Sequence, residues 1–512
     1  MHICFINPNS NSKNYQSLAN KYAAIETPTW SLLLAQSCRS VGFKVSILDC
    51  LAENLSDEEA FDRLADMNPK LLCIVVYGQN VNAGSTNMHG ASQLANYLKE
   101  KNNKFKISLI GSHVQALPRE TMEKEKSFDF AFINEGVYAL RNVLKSNLKF
   151  DELKNINGLV LRDSKNSKII FTGPEKVVPT ERMDIDLPGY AWDLLPYKEK
   201  PFDLYRSPMW HAEYLEDNRS PYAAIQTSIG CQFKCEFCMI NIVNKNDTEE
   251  IGVASNYNKM RFWSPEFIIK EFDKLFKYGV KTIKITDEMF LLNKKYYMEV
   301  CKLLSERNLD DEFKFWAYSR IDTVRDPETL SLVRKAGIKW LCLGIESGNK
   351  EIRLEVTKGR FEDVDVKKVV RQIEEADINV MANYIYGLPL DSEKTIQETF
   401  ELSKELCTLG WNTYPAIALP GSKLYFDAKK NNLPLPKKYS EYSFHSYDTV
   451  SNRTKYLKMS DVIRLRDEKF TEYHSYEKFL DKIEKKFGKA ARENIVSMNK
   501  VMLKRKAIEE NL

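Results

Sequence analysis

The sequence is organised around one short stretch, Cys231-Gln232-Phe233-Lys234-Cys235-Glu236-Phe237-Cys238. Its three cysteines form a C-x3-C-x2-C array that follows an apolar run at 223–229 and a single glycine, Gly230. Cysteine thiolates at this spacing favour soft metals and iron–sulfur clusters. A cluster of four irons held by three thiolates keeps one iron open to a small molecule. We therefore expect a reactive site rather than a purely structural one.

Other interpretations of the cysteines remain open on sequence grounds. A structural zinc ion would need a fourth ligand; His211 upstream could serve, whereas the next cysteine after Cys238 is Cys301. Disulfide bonds are not expected from 10 cysteines in 512 residues that begin without a predicted signal peptide. The cysteines outside the array lie in apolar runs and are predicted to be buried and unreactive: Cys4, Cys38, Cys50, Cys73, Cys301, Cys342 and Cys407.

Length and composition indicate a soluble protein of two or three domains. Hydrophobic residues make up 43% and charged residues 29% of the chain, as in ordinary globular proteins. The formal net charge of +4 gives no reason to expect nucleic acid or an anionic membrane as a partner. No apolar run approaches the roughly 18 residues that a transmembrane helix needs. Residues 1–8 are predicted to start a first strand and not a targeting sequence, so we expect a cytoplasmic, reducing location.

The first 145 or so residues alternate short apolar runs with helical patterns. Strands are predicted at 2–6, 44–49, 71–77, 106–110 and 128–133, and helices at 29–40 and 85–102. This alternation predicts a doubly wound parallel sheet, which binds ligands at the carboxyl ends of its strands. The loops predicted at that edge are 7–12, 77–85, 111–118 and 134–138.

A second α/β region follows a connector. The connector opens with a predicted hairpin, 158–163 and 168–172, and continues as a proline-rich segment anchored by Trp192 and Trp210. Strands are then predicted at 223–229, 282–286, 314–319, 341–345, 380–386 and 413–418. Helices are predicted between them at 265–278 after the N-cap Ser264, 295–307, 327–336 and 363–376. Six such units predict a partial (β/α)6 barrel with its chemistry at the carboxyl strand ends.

The end of the chain loses this pattern. Helices are predicted at 461–474, 476–487 and 490–510, which indicates a small helical C-terminal region. The predicted organisation is therefore four parts: a sheet domain at 1–148, the connector at 149–221, the barrel at 222–435 and the helical region at 436–512.

The cysteine array, with Phe237 before its third cysteine and a strand before it, resembles the signature of the radical SAM superfamily. The resemblance implies that Cys231, Cys235 and Cys238 bind a [4Fe–4S] cluster. It also implies that the amino and carboxylate groups of S-adenosylmethionine (SAM) chelate the open iron. Reductive cleavage of SAM would then give a 5′-deoxyadenosyl radical.

Charged groups at two predicted strand ends fall where such enzymes hold SAM. The run Thr286-Asp287-Glu288-Met289 occupies the place of the superfamily's Gly-Gly-Glu motif, although the glycines are missing. Asp287 and Glu288 are expected to accept hydrogen bonds from the SAM ammonium. Arg320 is expected to offer a bidentate fork to the SAM carboxylate.

The next strand ends supply the remaining expected contacts to SAM. Glu346 and Ser347 would bind ribose hydroxyls or orient Arg320, and Asn383 and Ile385 would face the adenine. The alternative for each charged residue, taken singly, is a surface ion pair. Their placement at the carboxyl ends of strands in one barrel favours the functional interpretation of Glu288, Arg320 and Glu346.

The N-terminal half resembles the cobalamin-binding domain of class B radical SAM enzymes at 110–118 and 134–136. The resemblance implies that Gly111, Ser112, Glu135 and Gly136 contact cobalamin. The Asp-x-His-x-x-Gly motif of base-off cobalamin proteins is absent, so no histidine ligand is expected from it. His113 and His89 are each either an axial ligand or, as the sequence favours, a loop or surface histidine. A domain that has lost cobalamin binding is the remaining alternative.

The whole chain resembles class B radical SAM methyltransferases, and its barrel resembles the branch that contains the fosfomycin-pathway phosphonate C-methyltransferase. The resemblance implies that a methyl group passes from methylcobalamin to an unactivated carbon, or a phosphorus, of a small molecule. An electron donor such as flavodoxin or ferredoxin is expected, and no nucleic-acid or membrane partner. The alternatives are cyclisation, rearrangement or oxidation by the same architecture, and a non-catalytic iron–sulfur scaffold.

Overall fold

The fold consists of two parallel sheets and a helical C-terminal region. The computed structural model describes residues 1–77, 81–163, 166–200, 204–208, 220–241, 259–324, 326–357 and 364–512. Hydrophobic residues of both sheets join in one core, in which Phe5 and Leu33 of the first part belong to the same cluster as Ile283 and Phe315 of the second. No helix in these ranges is long and apolar enough to cross a membrane.

The first sheet has seven strands. They are β1 (His2–Asn7), β2 (Lys44–Asp49), β3 (Leu71–Val76), β4 (Ile107–Gly111), β5 (Phe130–Phe132), β6 (Leu159–Arg162) and β7 (Ile169–Phe171). The strand order is β2-β1-β3-β4-β5-β6-β7, and β1 to β5 are parallel. Every residue of β3 is buried, which explains its continuous apolar sequence. The predicted parallel sheet is confirmed.

Helices cover this sheet. The α-helices are Asn11–Tyr15, Thr29–Arg39, Asp57–Met67, Gly84–Lys101, Ser112–Ala116, Pro118–Lys124, Val137–Lys145 and Phe150–Leu153. The helix Asp57–Met67 was not predicted from the sequence, although it starts with a capping box. In that box Ser56 accepts a hydrogen bond from the Glu59 backbone and the Glu59 side chain accepts one from the Ser56 backbone.

The connector starts as an extension of the first sheet. The predicted hairpin is confirmed as β6 and β7, and β6 pairs antiparallel with β5. A short helix, Met183–Asp186, follows. Trp192 anchors the connector, since its buried indole donates to Glu271 at 3.2 Å and stacks on Tyr190. Trp210 lies outside the described residues.

The second sheet is the curled sheet of a partial barrel. The strands that follow the connector are β8 (Tyr222–Ile225), β9 (Ser228–Ile229), β10 (Arg261–Phe262), β11 (Thr282–Ile285), β12 (Lys314–Arg320), β13 (Ile338–Glu346), β14 (Asn379–Tyr386) and β15 (Gly410–Pro415). The parallel order β15-β14-β13-β12-β11-β8 follows the chain order and confirms the partial (β/α)6 barrel. The helices are Pro265–Lys277, Lys294–Ser305, Pro327–Lys335, Lys350–Thr357, Val366–Glu375, Glu393–Leu406 and Lys423–Lys430.

Two barrel strands differ from their predicted bounds. The first, predicted at 223–229, ends at Ile225, and Ser228–Ile229 pairs with β10 instead. The Thr227 backbone and side chain both bond to Asp287, which turns the chain out of the sheet. The last strand was predicted at 413–418 but spans Gly410–Pro415, because its partner β14 ends at Tyr386, the residue that pairs with Pro415.

The C-terminal region is helical, with one error in the prediction. Its helices are Met459–His474, Glu477–Phe487, Lys489–Asn499 and Lys506–Glu509. The predicted helix at 490–510 is therefore wrong, because it is interrupted after Asn499. Contacts on both sides fix the interruption: Asn499 donates to the Thr471 carbonyl at 3.0 Å, and Arg505 forms a partly buried ion pair with Asp467 at 2.8 Å.

Candidate functional site

The cysteine array lies in a loop that faces a cavity of about 530 Å³. Cys231, Cys235 and Cys238 all line this cavity. Gly230 precedes them with a φ of +98°, a conformation that glycine adopts readily. Within the described ranges, no three His, Cys, Asp or Glu side chains are placed to hold one metal ion. A [4Fe–4S] cluster instead takes each thiolate on a different iron, so three separated thiols fit a cluster better than a zinc ion.

Burial keeps the thiols of the cysteine array protonated until a metal binds. It raises the pKa of Cys231 to about 12 and that of Cys235 to about 11, although the nearby Arg320 guanidinium opposes the shift. A coordinated thiol loses its proton to the metal. Cluster assembly at this loop must therefore release protons, and the cysteines need iron to become charged.

The two neighbouring carboxylates after β11 have different surroundings. Glu288 lines the cavity, and its Oε2 is buried without a hydrogen-bond partner in the described residues. Burial raises the pKa of Glu288 to about 8. Asp287 does not line the cavity, and its carboxylate accepts hydrogen bonds from the Thr227 backbone, the Thr227 hydroxyl and the Ser228 hydroxyl, each at 2.6 Å. Only Glu288 is placed to meet a bound ammonium.

Arg320 lies beside the cluster loop. Its Nη1 is 3.6 Å from Cys235 Sγ, and its guanidinium carbon is 3.5 Å from the centre of the Phe233 ring. Asp322 binds the opposite edge, with Nε donating at 2.8 Å and Nη2 at 2.5 Å. The expected bidentate fork is therefore already used by Asp322, and the Nη1 edge faces the cysteines.

Glu346 turns into the cavity at an irregularity of its strand. The pairing of β13 with β14 shifts register between Gly344 and Glu346, and Glu346 has a φ of +66°, which is unusual for a residue other than glycine. Burial raises the pKa of its carboxyl to about 7. The strained backbone and the buried carboxylate indicate a position shaped for a ligand.

Of the other residues predicted to contact SAM, two line the cavity and one does not. Asn383 and Ile385 of β14 line the cavity, and Asn383 accepts a hydrogen bond from the Tyr414 hydroxyl at 3.3 Å. Ser347 is buried away from the cavity and bonds to Thr399 at 3.1 Å. Its neighbour Glu346 takes the position toward the cavity.

The N-terminal domain forms the opposite wall of the cavity. That wall carries Asn14, Tyr15, Leu18, Tyr22, Ala23, Ala24, Asn82, Ala83 and Thr86. Asn14 also lines a smaller adjoining cavity of about 70 Å³, and its Oδ1 is a buried acceptor without a partner in the described residues. Such an acceptor suits a ligand with amide side chains, as the corrin ring of cobalamin has. The sequence had pointed only to the loops that contain some of these residues.

Asn82 connects this wall to the cluster loop. Its Nδ2 donates to Cys238 Sγ at 3.8 Å, and its Oδ1 accepts from the Met239 backbone at 2.9 Å. Sequence reasoning did not identify Asn82. The only signal was its place in the loop predicted at a strand end.

We expect Asn82→Leu to lower the reduction potential of the bound cluster. A hydrogen bond to a cluster sulfur stabilises the reduced, more negative state, so losing it disfavours reduction by about tenfold, or about 59 mV for one electron. An anaerobic redox titration followed by electron paramagnetic resonance measures this. Thr86→Val is the matched control, because Thr86 lines the same wall and donates to the Ala83 carbonyl. An unchanged potential in the Asn82 variant would contradict the assignment.

The four residues predicted to contact cobalamin do not line either cavity. A Cβ on Gly111 would lie 2.2 Å from the Val76 carbonyl oxygen, and one on Gly84 would lie 1.9 Å from Ser112 Oγ. Gly111 and Ser112 therefore serve close packing between strand ends and the helix Gly84–Lys101. Glu135 pairs with Arg261 of β10 in a fully buried ion pair, and Gly136 packs on Ile110.

His113 is a buried structural histidine. Its Nδ1 lies 2.9 Å from Ser85 Oγ, and its ring contacts the edges of Tyr439 and Tyr442. Burial lowers its pKa to about 3. His89 is half-buried and lines neither cavity.

We expect His113 to make the protein sensitive to acid. Its folded pKa of about 3 lies below the unfolded value of about 6.5, so the stability it contributes is present above pH 6.5 and falls as the pH drops toward 3. The loss is at most about 1.4 kcal/mol per pH unit. Thermal denaturation of the wild type and His113→Asn at pH 7 and pH 5 tests this. The variant should lose less stability between the two pH values, and an equal loss would contradict the prediction.

Two family profiles match the chain, one on each side of the cavity. The B12 binding domain matches residues 15–144, and the Radical SAM superfamily matches residues 225–403. An uncharacterized methyltransferase of Pyrococcus horikoshii is 25% identical over 402 residues, 78% of each chain. The anaerobic magnesium-protoporphyrin IX monomethyl ester cyclase of Cereibacter sphaeroides is 24% identical over 431 residues, 82% of this chain and 61% of the cyclase. The cytidylyl-2-hydroxyethylphosphonate methyltransferase of Streptomyces wedmorensis is 21% identical over 76% of each chain.

Solved structures share the fold. The radical SAM methyltransferase TsrM of Kitasatospora setae, with tryptophan substrate and a SAM analogue bound, has a TM-score of 0.61 at 14% identity and covers 86% of this chain and 82% of its own. The cobalamin-dependent enzyme OxsB, with aqua-cobalamin and SAM bound, has a TM-score of 0.63 at 14% identity. The match covers 97% of this chain and 72% of the OxsB chain. At this identity the likeness concerns the fold alone.

Proposed function

This chain belongs to the cobalamin-dependent radical SAM enzymes, and we propose that it is a methyltransferase acting on a small molecule. One observation carries the proposal: the cysteine loop and the wall of the B12-binding domain face the same cavity and touch through Asn82 and Cys238. A methyl carrier and a radical source would thus act on one bound substrate. The methyltransferases among the relatives support this activity.

The proposed cofactor contacts follow from the cavity. Cys231, Cys235 and Cys238 would hold the [4Fe–4S] cluster, and Glu288 would accept hydrogen bonds from the SAM ammonium with its unpartnered Oε2. Arg320 would bind the SAM carboxylate through its Nη1 edge. When bound, these cofactors supply an adenosyl radical and a transferable methyl group.

The rest of the cavity would orient these groups and exclude water. Glu346 would meet the ribose hydroxyls, and Asn383 with Ile385 would face the adenine. Asn14 and Asn82 would lie on the cobalamin side. Enclosure between the two domains keeps a reactive radical away from solvent and holds the reacting carbon in place.

Cyclisation is the second candidate, because the cyclase of Cereibacter sphaeroides matches most of this chain. Product ratios separate the two. A methyltransferase consumes one SAM as methyl donor and one as radical source, so S-adenosylhomocysteine and 5′-deoxyadenosine should form in about equal amounts with substrate. A cyclase would form 5′-deoxyadenosine without S-adenosylhomocysteine. Absence of both would favour an iron–sulfur scaffold.

We further propose the setting of the enzyme. Cluster reduction would draw on a flavodoxin or ferredoxin, in a cytoplasmic, reducing location, and no nucleic acid or membrane is a partner. The two profile matches, at residues 15–144 and 225–403, support a division of the chain near residues 148 and 222. The helix Lys423–Lys430 after the last barrel strand supports a barrel that extends to about residue 435. The phosphonate methyltransferase match is consistent with a carbon or phosphorus acceptor.

A further inference from the structure

The cavity at the cysteines continues down the inside of the partial barrel. Alternate residues of β13 line it, from Glu346 at the carboxyl end to Trp340 near the amino end. Strand residues advance about 3.3 Å each, so these two positions lie about 20 Å apart. Gly410 and Asn412 of β15 line the same space. The cavity therefore runs along the barrel lumen, beyond the residues that meet the cofactors.

Small side chains keep this lumen open. The interiors of small barrels are normally filled by side chains. Here the two middle residues of β13 that line the cavity are the small Cys342 and Gly344. Toward the amino end of the strand, the next residue that lines the cavity is the large Trp340. Trp340 stacks on Phe487 of the helix Glu477–Phe487, which closes the amino end of the barrel as a floor. Well-packed interiors rarely leave such a space without an occupant.

The lining changes from charged to apolar along the lumen. Glu288, Arg320 and Glu346 lie at the carboxyl end. The part toward the floor is lined by Trp340, Met381, Leu409, Phe479, Ile495 and Met498. This end suits hydrocarbon and not a polar cofactor.

Three polar side chains of the lumen wall, Arg466, Asp467 and Asn412, already have partners. Arg466 donates to the Thr413 carbonyl at 3.0 Å and to Asp467 at 2.8 Å, and Asp467 also pairs with Arg505. Asn412 donates to the Tyr414 hydroxyl at 2.9 Å. Since these three side chains already have partners, a ligand gains little by bringing polar atoms to them.

We propose that the lumen binds an extended apolar chain of the substrate, with the reacting end of the substrate toward the cysteines. The proposal rests on the proposed function, because it takes this cavity as the active site. The break between the helices Lys489–Asn499 and Lys506–Glu509 supplies an entrance to the lumen. Met502 lies in this break, lines the cavity and is 76% exposed. The substrate class is therefore an amphipathic molecule with a long hydrocarbon or isoprenoid chain.

A fluorescent chain tests the proposal on the full-length protein loaded with cluster and cobalamin. The probe is dansylaminoundecanoic acid, and dansylglycine is the short-chain control. Cys342→Phe and Met381→Phe place a ring inside the lumen, and Leu309→Phe adds the same ring on the surface, where Leu309 is 84% exposed. Filling the lumen should weaken binding of the long probe by about tenfold or more, and the surface variant should bind as the wild type does.

Equal affinity of the wild type for the two probes, or unweakened binding in both folded lumen variants, would overturn the proposal. Displacement of the long probe by hexadecanol assigns a straight chain and displacement by farnesol an isoprenoid chain, whereas displacement by neither overturns it. Probe binding does not require methyl transfer, so a protein that binds the chain without transferring a methyl group would refute the proposed function and not the lumen site.

Discussion

Alanine at Cys231, Cys235 or Cys238 will abolish reductive cleavage of SAM. Each thiolate would hold a different iron, so losing one would leave an incomplete or absent cluster. Anaerobic reconstitution should give about four irons per chain in the wild type and far fewer in each variant. Formation of 5′-deoxyadenosine under reducing conditions should fall to background.

Cys301→Ala is the matched control for these variants. Cys301 is fully buried in the helix Lys294–Ser305, away from the cavity. The control should keep its iron and its SAM cleavage and lose only some stability through the missing buried atom. Cleavage that persists in all three cysteine variants would refute the cluster assignment.

Glu288→Gln will weaken SAM binding on the order of 100-fold, because a buried amide cannot ionise to form the carboxylate that would pair with the SAM ammonium. The unpartnered Oε2 of Glu288 in the cavity is the reason for this expectation. Equilibrium binding of SAM to the cluster-loaded protein measures the effect.

The adjacent carboxylate is the control. Asp287→Asn should chiefly lower the denaturation temperature, since Asp287 accepts hydrogen bonds from Thr227 and Ser228 outside the cavity. The assignment fails if the Glu288 variant binds SAM like the wild type, or if the two variants lose SAM affinity equally.

Much of the fold could be predicted because its signals are local. The order of strands and helices follows from apolar runs and caps, as with Ser264 before the helix Pro265–Lys277. The three cysteines are close together in sequence, so their spacing alone predicted an iron–sulfur site. Their position at the cavity could be seen only in the structure. The interruption after Asn499 was missed, because Asp467 and Thr471 on another helix determine it.

The candidate site was predicted in part. Consecutive residues at a strand end point to opposite faces, so of Asp287 and Glu288 only one could face the cavity, and likewise of Glu346 and Ser347. That rule was available from the sequence. Asn82 could not be found in this way, since its contact with Cys238 depends on how the two sheets pack together.

Transfer of a deuterated methyl group from SAM is the most direct test of the central claim. The holoenzyme would be incubated anaerobically with methyl-deuterated SAM, a reductant and a small-molecule extract, and labelled products identified by mass spectrometry. We predict a labelled metabolite that forms only when both cluster and cobalamin are present. Formation of 5′-deoxyadenosine with no label in any metabolite, or labelling that does not need cobalamin, would contradict the account.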